Sequence, residues 1–360
     1  MRQYILLNPG PVNVSPRVQQ ALLRGDLCHR EEEFSDLLVA IRTKLLRAFA
    51  PDGYTSVLLS GSGTLAVEAM VSSALPEGRK LLVIDNGVYG ERMLRMAEAH
   101  RIPTVELQCG WTERPDLGKI EATLQADPTI AAVALVHHET TTGLLNPVRE
   151  VGTITRRLGR LLLLDAVSAL AGEDLDLARD GVDLCACTAN KCVQGLPGVA
   201  FVLARTEVMT AMQDYPRRSL YLHLPGYWEA QERQSIPFTP SVQAWYALDE
   251  ALDELLEETV ATRVQRYRAA ALLLRAGFAR LGLRFMLPAD QQSNSITSMF
   301  LPEGVTYRRL HDDLKARGYV IYAGQGKLQT SIFRVANMGS LTLEDFRQFL
   351  QALEIVLGAG

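Results

Sequence analysis

The chain has 360 residues, 48% of them hydrophobic and 22% charged, with a formal net charge of -4 at pH 7. That length accommodates roughly two domains with a sizeable core, in a composition ordinary for a globular protein. Neither sign of charge is gathered into long runs, which argues against a nucleic-acid groove or an acidic solvating tail and favours small-molecule chemistry. No cationic, apolar leader opens the chain and no stretch approaches the roughly 20 apolar residues of a membrane span, so a cytoplasmic location is expected. Five cysteines, Cys28, Cys109, Cys185, Cys187 and Cys192, form an odd set without CxxC spacing. They read as buried thiols, with neither a disulfide framework nor a structural metal expected.

The opening stretch "LLNPGPVNVSP" carries three prolines and a glycine, which suit neither a helix nor a central strand, so an arm is predicted over residues 1–18. Six strands follow, Ser56 to Ser60, Lys80 to Asn86, Ile130 to His138, Arg160 to Ala166, Val182 to Ala189 and Val199 to Arg205. Helix-patterned segments lie between most of them, at Thr64 to Ala74, Glu91 to His100 and Val148 to Leu158. Such βα repetition predicts an α/β domain over 19–242, built on a mainly parallel sheet. The character then changes to one long helical stretch, Gln243 to Leu281, and shorter strands at Ser295 to Leu301, Gly318 to Tyr322 and Ser331 to Ala336. These predict a smaller α+β domain over 243–360.

Within the large domain, "LLLLD" from Leu161 to Asp165 is too short and too apolar for an amphipathic helix and reads as a central parallel strand covered on both faces. Asp165 then stands at the strand's carboxyl end, where open α/β sheets bind ligands. The plainer alternative is that it caps the next turn through its neighbours' amides.

Other strand ends carry chemistry too. "SGSGT" puts Ser62, Gly63 and Thr64 at a helix start, where free amides and hydroxyls suit an anion such as phosphate. No GK[ST] or GxGxxG pattern accompanies it. "NGVYGER" puts Tyr89 in the next strand-to-helix turn, and "HHETTTG" puts three hydroxyls, Thr140 among them, in the one after. His137 and His138 are adjacent in a strand and face opposite ways, which argues against shared metal ligation. "TANKCVQG" places Lys191 after an apolar strand, where desolvation favours the neutral amine that adds to an aldehyde. A phosphate cradle, a strand-end aspartate and a desolvated lysine are the three protein parts that pyridoxal 5'-phosphate requires. Each alone has a plainer reading, as a turn, a cap and an exposed loop lysine.

The succession G-S-G-T, H-x-E-T-T-T-G, D-A-x-S and A-N-K-C-x-Q-G-x-P-G resembles that of class V aminotransferases of fold type I, and among them the 2-aminoethylphosphonate transaminases. "LLNPGPVNVS", "DLCHREEEF", "HHETTTGLLNPVREVG" and "ANKCVQGLPG" carry the likeness across essentially the whole chain. It implies a pyridoxal-phosphate enzyme, homodimeric with active sites at the subunit interface. The activity implied is transfer of an amino group between 2-aminoethylphosphonate and pyruvate, in either direction. Lys191 would carry the cofactor and shuttle a proton, and Asp165 would keep the pyridine nitrogen protonated. Ser62, Gly63 and Thr64 would hold the phosphate, with Asn190 helping and Thr239 reaching the partner subunit's cofactor. Tyr89 would stack on the ring, in a place where related enzymes carry tryptophan. Thr140 would bond its edge, and Ser168 would support Asp165 or the ring.

Arg334 interrupts the apolar stretch "SIFRVANMG". It either faces solvent from an edge strand or awaits an anion, and the resemblance favours a substrate anion with Asn8 nearby. Three other readings stay open. One is an alanine–glyoxylate or serine–pyruvate type aminotransferase. Another is a lyase on the same scaffold, although a desulfurase needs a mobile cysteine and Cys185, Cys187 and Cys192 lie in or beside a core strand. The third is a nucleotide-binding module in which Lys191 is structural.

Overall fold

The computed structural model describes residues 4–358. Strands β1 (Tyr54–Gly61), β2 (Lys80–Asp85), β3 (Thr104–Gln108), β4 (Ile130–Val136), β5 (Leu161–Asp165), β6 (Leu184–Thr188) and β7 (Gly198–Arg205) form one seven-stranded sheet in the order β1-β7-β6-β5-β4-β2-β3. Only β7 runs antiparallel to its neighbours. The leucine run is the middle strand, parallel to β4 and β6.

Alternation along β5 divides its leucines between two cores. Leu162 and Leu164 face one with Leu58, Leu135 and Phe201, whereas Leu163 faces the other with Val57, Val83 and Val202. Each buried leucine stabilises by roughly 1.5–3 kcal/mol. Several sheet positions on the second face are small, Ala132, Ala134, Ala186 and Ala200, so helices approach closely at those points. Asp165 follows the parity of Leu163, and its side chain therefore points to that helix-covered side.

Helices α1 (Glu32–Phe49), α2 (Gly63–Ser73), α3 (Val88–Ala99), α4 (Leu117–Ala126) and α5 (Val148–Arg157) cover the sheet. Strand β3 and helix α4 are absent from the sequence reading. As the sheet edge, β3 has polar or exposed residues at most of its positions, which removes the apolar run by which a strand is recognised.

The helix expected from Gln243 to Leu281 is two, α6 (Val242–Glu258) and α7 (Val260–Arg280), broken at Thr259 with φ of 71°. The Thr259 hydroxyl accepts from the Thr262 amide at 3.2 Å and so caps the second helix. Trp245, Leu248 and Leu252 of α6 pack in the large-sheet core, while Ala270, Leu274 and Phe278 of α7 pack with Phe333 and Phe349. Core packing therefore changes hands along α7, beyond the predicted boundary at residue 243. Strands β8 (Ile296–Phe300), β9 (Tyr322–Ala323) and β10 (Ile332–Ala336) form a sheet in the order β8-β10-β9, backed by α7 and by α8 (Leu343–Leu357).

The opening segment is more ordered than an irregular arm. Ile5–Leu6 pair in parallel with Tyr319–Val320, and a short helix, Pro16–Ala21, begins on a proline capped by Ser15. A proline at the first helical position costs no hydrogen bond, which the count of prolines alone conceals. Cys28 is exposed and Cys109 half-buried, contrary to the expectation of buried thiols; Cys185, Cys187 and Cys192 are buried. Among the described residues, no helix is long and apolar enough to cross a membrane.

Candidate active site

The loops leaving β1, β2, β4, β5 and β6 converge at the carboxyl edge of the sheet. Ser62 precedes α2 in extended conformation and makes no side-chain cap, so the first amides of that helix, from Gly63 and Thr64, are available to an anion. Beside them Thr64, Tyr89, Arg92, Asp165 and Val167 line a small cavity.

Asp165 is buried, and its Oδ1 accepts from the Val167 amide at 3.0 Å. Local capping is thus real for one oxygen. A single neutral donor does not compensate a buried carboxylate, and burial pushes Asp165 up to about 6 despite that donor, Arg92 and Lys191. A cation placed against it, such as a protonated pyridine, restores the charged form. Lys191 is its counterpart: burial lowers its amine to about 8, with Cys192 and Asp165 pulling the other way.

Lys191 Nζ donates to the carbonyl of Pro9, so the opening segment lies across the lysine. Gly10, with φ of 103°, has no room for a side chain, because a Cβ would lie 2.6 Å from Lys191 Cδ. The turn after Lys191 is held from behind. Arg263 Nη1 donates to the carbonyls of Cys192 and Val193 at 3.3 and 3.0 Å, and Gln194 Nε2 donates to the Tyr267 hydroxyl at 2.6 Å.

The remaining expected residues are placed unevenly. Thr140 is buried, and its hydroxyl has no partner among the described residues, as suits a group awaiting a ligand. Asn190 accepts from Thr188 Oγ1 at 2.8 Å beside Lys191. The ring of Tyr89 has the Arg92 guanidinium 4.6 Å from its centroid. Ser168 offers its carbonyl to His138 Nδ1 at 3.2 Å, while the hydrogen bond to Asp165 comes from Val167. Asn8 spends its amide on the carbonyl of Pro11 at 3.0 Å, and it is Pro9 that meets the site lysine. Thr239 is exposed.

Arg334 does not face solvent. It lies on the middle strand of the small sheet, opposite Ser298 and Tyr322, and is completely buried. Its Nε donates to the Ala323 carbonyl at 2.8 Å, and its Nη1 donates to the Thr140 carbonyl at 2.5 Å and to Gln325 Oε1 at 3.2 Å. Nη2 is buried without a partner among the described residues. Burial lowers its pKa, which marks a cation short of anionic company.

Two residues of the site escaped the sequence reading. Arg92 donates to Thr64 Oγ1 at 3.2 Å; its position one helical turn beyond Tyr89 was the available signal. Glu139, within "HHETTTG", is completely buried beside the hydroxyls of Thr140, Thr141 and Thr142, and burial pushes it up to about 7 against hydrogen bonds from Thr141 and Tyr89.

A seven-stranded, mainly parallel sheet with a half-buried lysine and a buried aspartate at its carboxyl edge and a buried arginine from a second layer defines an aminotransferase of fold type I. The chain belongs to the class V aminotransferases, whose family model matches residues 19–342. It is 41% identical over 355 residues to the 2-aminoethylphosphonate–pyruvate transaminase of Syntrophobacter fumaroxidans, covering 97% of this chain and 95% of that protein. It is 40% identical over 363 residues to the enzyme of the same name from Salmonella typhimurium, covering 99% and 98%. Among solved structures, an alanine–glyoxylate aminotransferase from Nostoc superposes with a TM-score of 0.93 at 28% identity, covering 99% of this chain and 96% of that one. A Thermus thermophilus aspartate aminotransferase superposes with a TM-score of 0.90 at 28% identity, covering 98% and 99%.

Proposed function

We propose that this aminotransferase exchanges an amino group between 2-aminoethylphosphonate and pyruvate, giving phosphonoacetaldehyde and alanine or the reverse. We propose further that it works as a cytoplasmic homodimer with pyridoxal 5'-phosphate. The observation that carries the reading is Arg334, a buried guanidinium with an unpartnered nitrogen beside Thr140. The names of relatives at 40–41% identity support the substrate pair.

When bound, the cofactor supplies an aldehyde that takes up amines and a pyridine ring that accepts electrons from the adjacent carbon. Asp165 holds the ring nitrogen's proton, and that cation offsets the burial of the carboxylate. The amides at the start of α2, with Ser62 and Thr64, hold the phosphate; Asn190 assists, and Thr239 reaches the partner subunit's cofactor. Tyr89 lies against the ring, Thr140 bonds its edge and Ser168 supports the wall behind it. Lys191, whose amine is half neutral near pH 8, carries the cofactor and then moves a proton at the substrate's amine-bearing carbon.

Both substrates must place their reacting carbons alike, so their anionic ends fall in one region. 2-Aminoethylphosphonate offers only a phosphonate and pyruvate a carboxylate; a planar guanidinium pairs with either through parallel hydrogen bonds. Arg334 takes that role, with Asn8 at the edge of the same region. Single-turnover absorbance with separate donors tests the reading, and rapid reaction with 2-aminoethylphosphonate is expected. A protein that reacts with alanine or serine and glyoxylate but ignores 2-aminoethylphosphonate would replace this substrate assignment with the alanine–glyoxylate type.

A further inference from the structure

Glu139 stands in the middle of the site, and none of the roles above uses it. A completely buried carboxylate is costly unless donors fill its oxygens. Three converge here. The Tyr89 amide donates to Oε2 at 3.2 Å, while the Thr141 amide and hydroxyl donate to Oε1 at 3.1 and 2.5 Å. The Thr141 hydroxyl in turn accepts from the Val88 amide at 3.2 Å.

Val88 and Tyr89 open α3, and Gly87 before them provides no side-chain cap. Their amides would otherwise be orphans of the helix start. Glu139 and Thr141 supply the cap from a different loop, across the sheet edge. The approach is so close that a Cβ on Gly87 would lie 2.5 Å from Glu139 Cγ. Between the two capping residues sits Thr140, whose carbonyl receives Arg334 Nη1 and whose hydroxyl is buried without a partner among the described residues. The carboxylate therefore fixes one residue on each side of the ligand space.

Resting on the function proposed above, we infer that Glu139 is a positioning residue that sets Tyr89 against the cofactor ring and Thr140 against Arg334, coupling the cofactor site to the anion subsite. It touches no reacting atom. Glutamine keeps its shape but replaces one acceptor oxygen with an NH2 group, which would meet N–H donors and leave one of them unpaired. Thr141→Val removes the bridging hydroxyl while leaving Glu139 in place, and Thr141→Ser keeps that hydroxyl.

The experiment compares visible circular dichroism of the bound cofactor, and KM and kcat for each half-reaction, in the holoenzymes of these three variants. Glu139→Gln and Thr141→Val should cut the dichroic signal by roughly half or more and raise KM for both anionic substrates about tenfold, as expected of one lost buried hydrogen bond. Thr141→Ser should stay within about twofold of wild type, and Glu139→Gln combined with Arg334→Lys should lose less than the product of the separate losses. Wild-type dichroism and KM in both Glu139→Gln and Thr141→Val, even with a lower melting temperature, would overturn the inference, as would strictly multiplicative losses. A wild-type enzyme inert to 2-aminoethylphosphonate would defeat the substrate reading instead, and the dichroic comparison would still decide the role of Glu139.

Discussion

Arg334 donates through Nη1 to the backbone carbonyl of Thr140 at 2.5 Å, so the middle strand of the small sheet grips the loop that leaves β4 of the large one. The guanidinium is thereby aimed from both layers, with Nη2 left over for a ligand. Lysine at this place has the charge without the fork. Arg334→Lys should slow both half-reactions, with a loss of roughly 2–5 kcal/mol for a desolvated charged contact. Single-turnover absorbance checks this, and a variant with both half-reactions at wild-type rate removes the shared-anion role.

The chemistry assigned to Lys191 has its own pH signature. Burial lowers its amine from 10.5 to about 8, so it is protonated and unreactive below that pH and neutral above it. In apoprotein, reductive alkylation of Lys191 by a small aldehyde should rise with a midpoint near pH 8, followed by peptide mass spectrometry. Lys191→Ala should also lose the borohydride-reducible link to the cofactor. A labelling midpoint near 10.5, or a reducible link surviving in Lys191→Ala, contradicts the assignment.

Asp165→Asn keeps the hydrogen bond from Val167 within reach but cannot hold a proton on the ring nitrogen. It should still bind cofactor while turnover falls roughly 100- to 1,000-fold, the scale of a lost electrostatic partner. Cofactor absorbance and steady-state rates measured on the same preparation separate the two effects; undiminished turnover would show that Asp165 is only a cap.

Glu173, on the loop after β5, accepts from the amide and the side chain of Asn294 at 2.6 and 2.8 Å, joining the two layers. Burial pushes it up to about 8 from 4.5. The folded protein therefore holds a proton that the unfolded chain releases, and this stabilisation is fully present below 4.5 and is lost as pH rises through about 8. The cost is on the order of 1 kcal/mol per pH unit within that window. Glutamine cannot ionise. Thermal melts of the apoproteins should show Glu173→Gln gaining on wild type as pH rises from about 5 to about 8, and a constant difference across that range would refute the shift.

The central strands were legible because four leucines between polar residues leave little else to form, and the site's loops because glycine, serine and threonine mark strand-to-helix turns. β3 was hidden by its place at the sheet edge, where polar side chains are tolerated. Thr259 was hidden because a threonine with positive φ has no pattern; α6 and α7 are both apolar on one side and read as a single helix. The placement of Pro9 over Lys191, across a separation of 182 residues, is written in neither segment. Arg334 was visible as an anomaly, but its depth depends on β8 and β9 closing over both sides. Glu139 and Arg92 lie inside HHETTTG and NGVYGER, where nothing distinguishes them from the charged residues that usually face solvent.

The opening segment also bears on how the protein is made. Ile5 and Leu6 pair with Tyr319 and Val320, and the carbonyl of Leu7 accepts from the Ala336 amide. Synthesis runs from the amino terminus, so this first stretch leaves the ribosome long before its strand partners exist. The seven-stranded sheet ends at Arg205 and can assemble earlier, with Lys191 already in place but the segment above it not yet anchored. Late, non-local pairing of this kind is slow, since the loop-closure entropy is lost before any contact repays it. A nascent chain stalled before Tyr319 would therefore lack the pairing that holds Ile5 and Leu6, and the segment over Lys191 would be tethered only from its far side, through Ser15 and the short helix packed on α6.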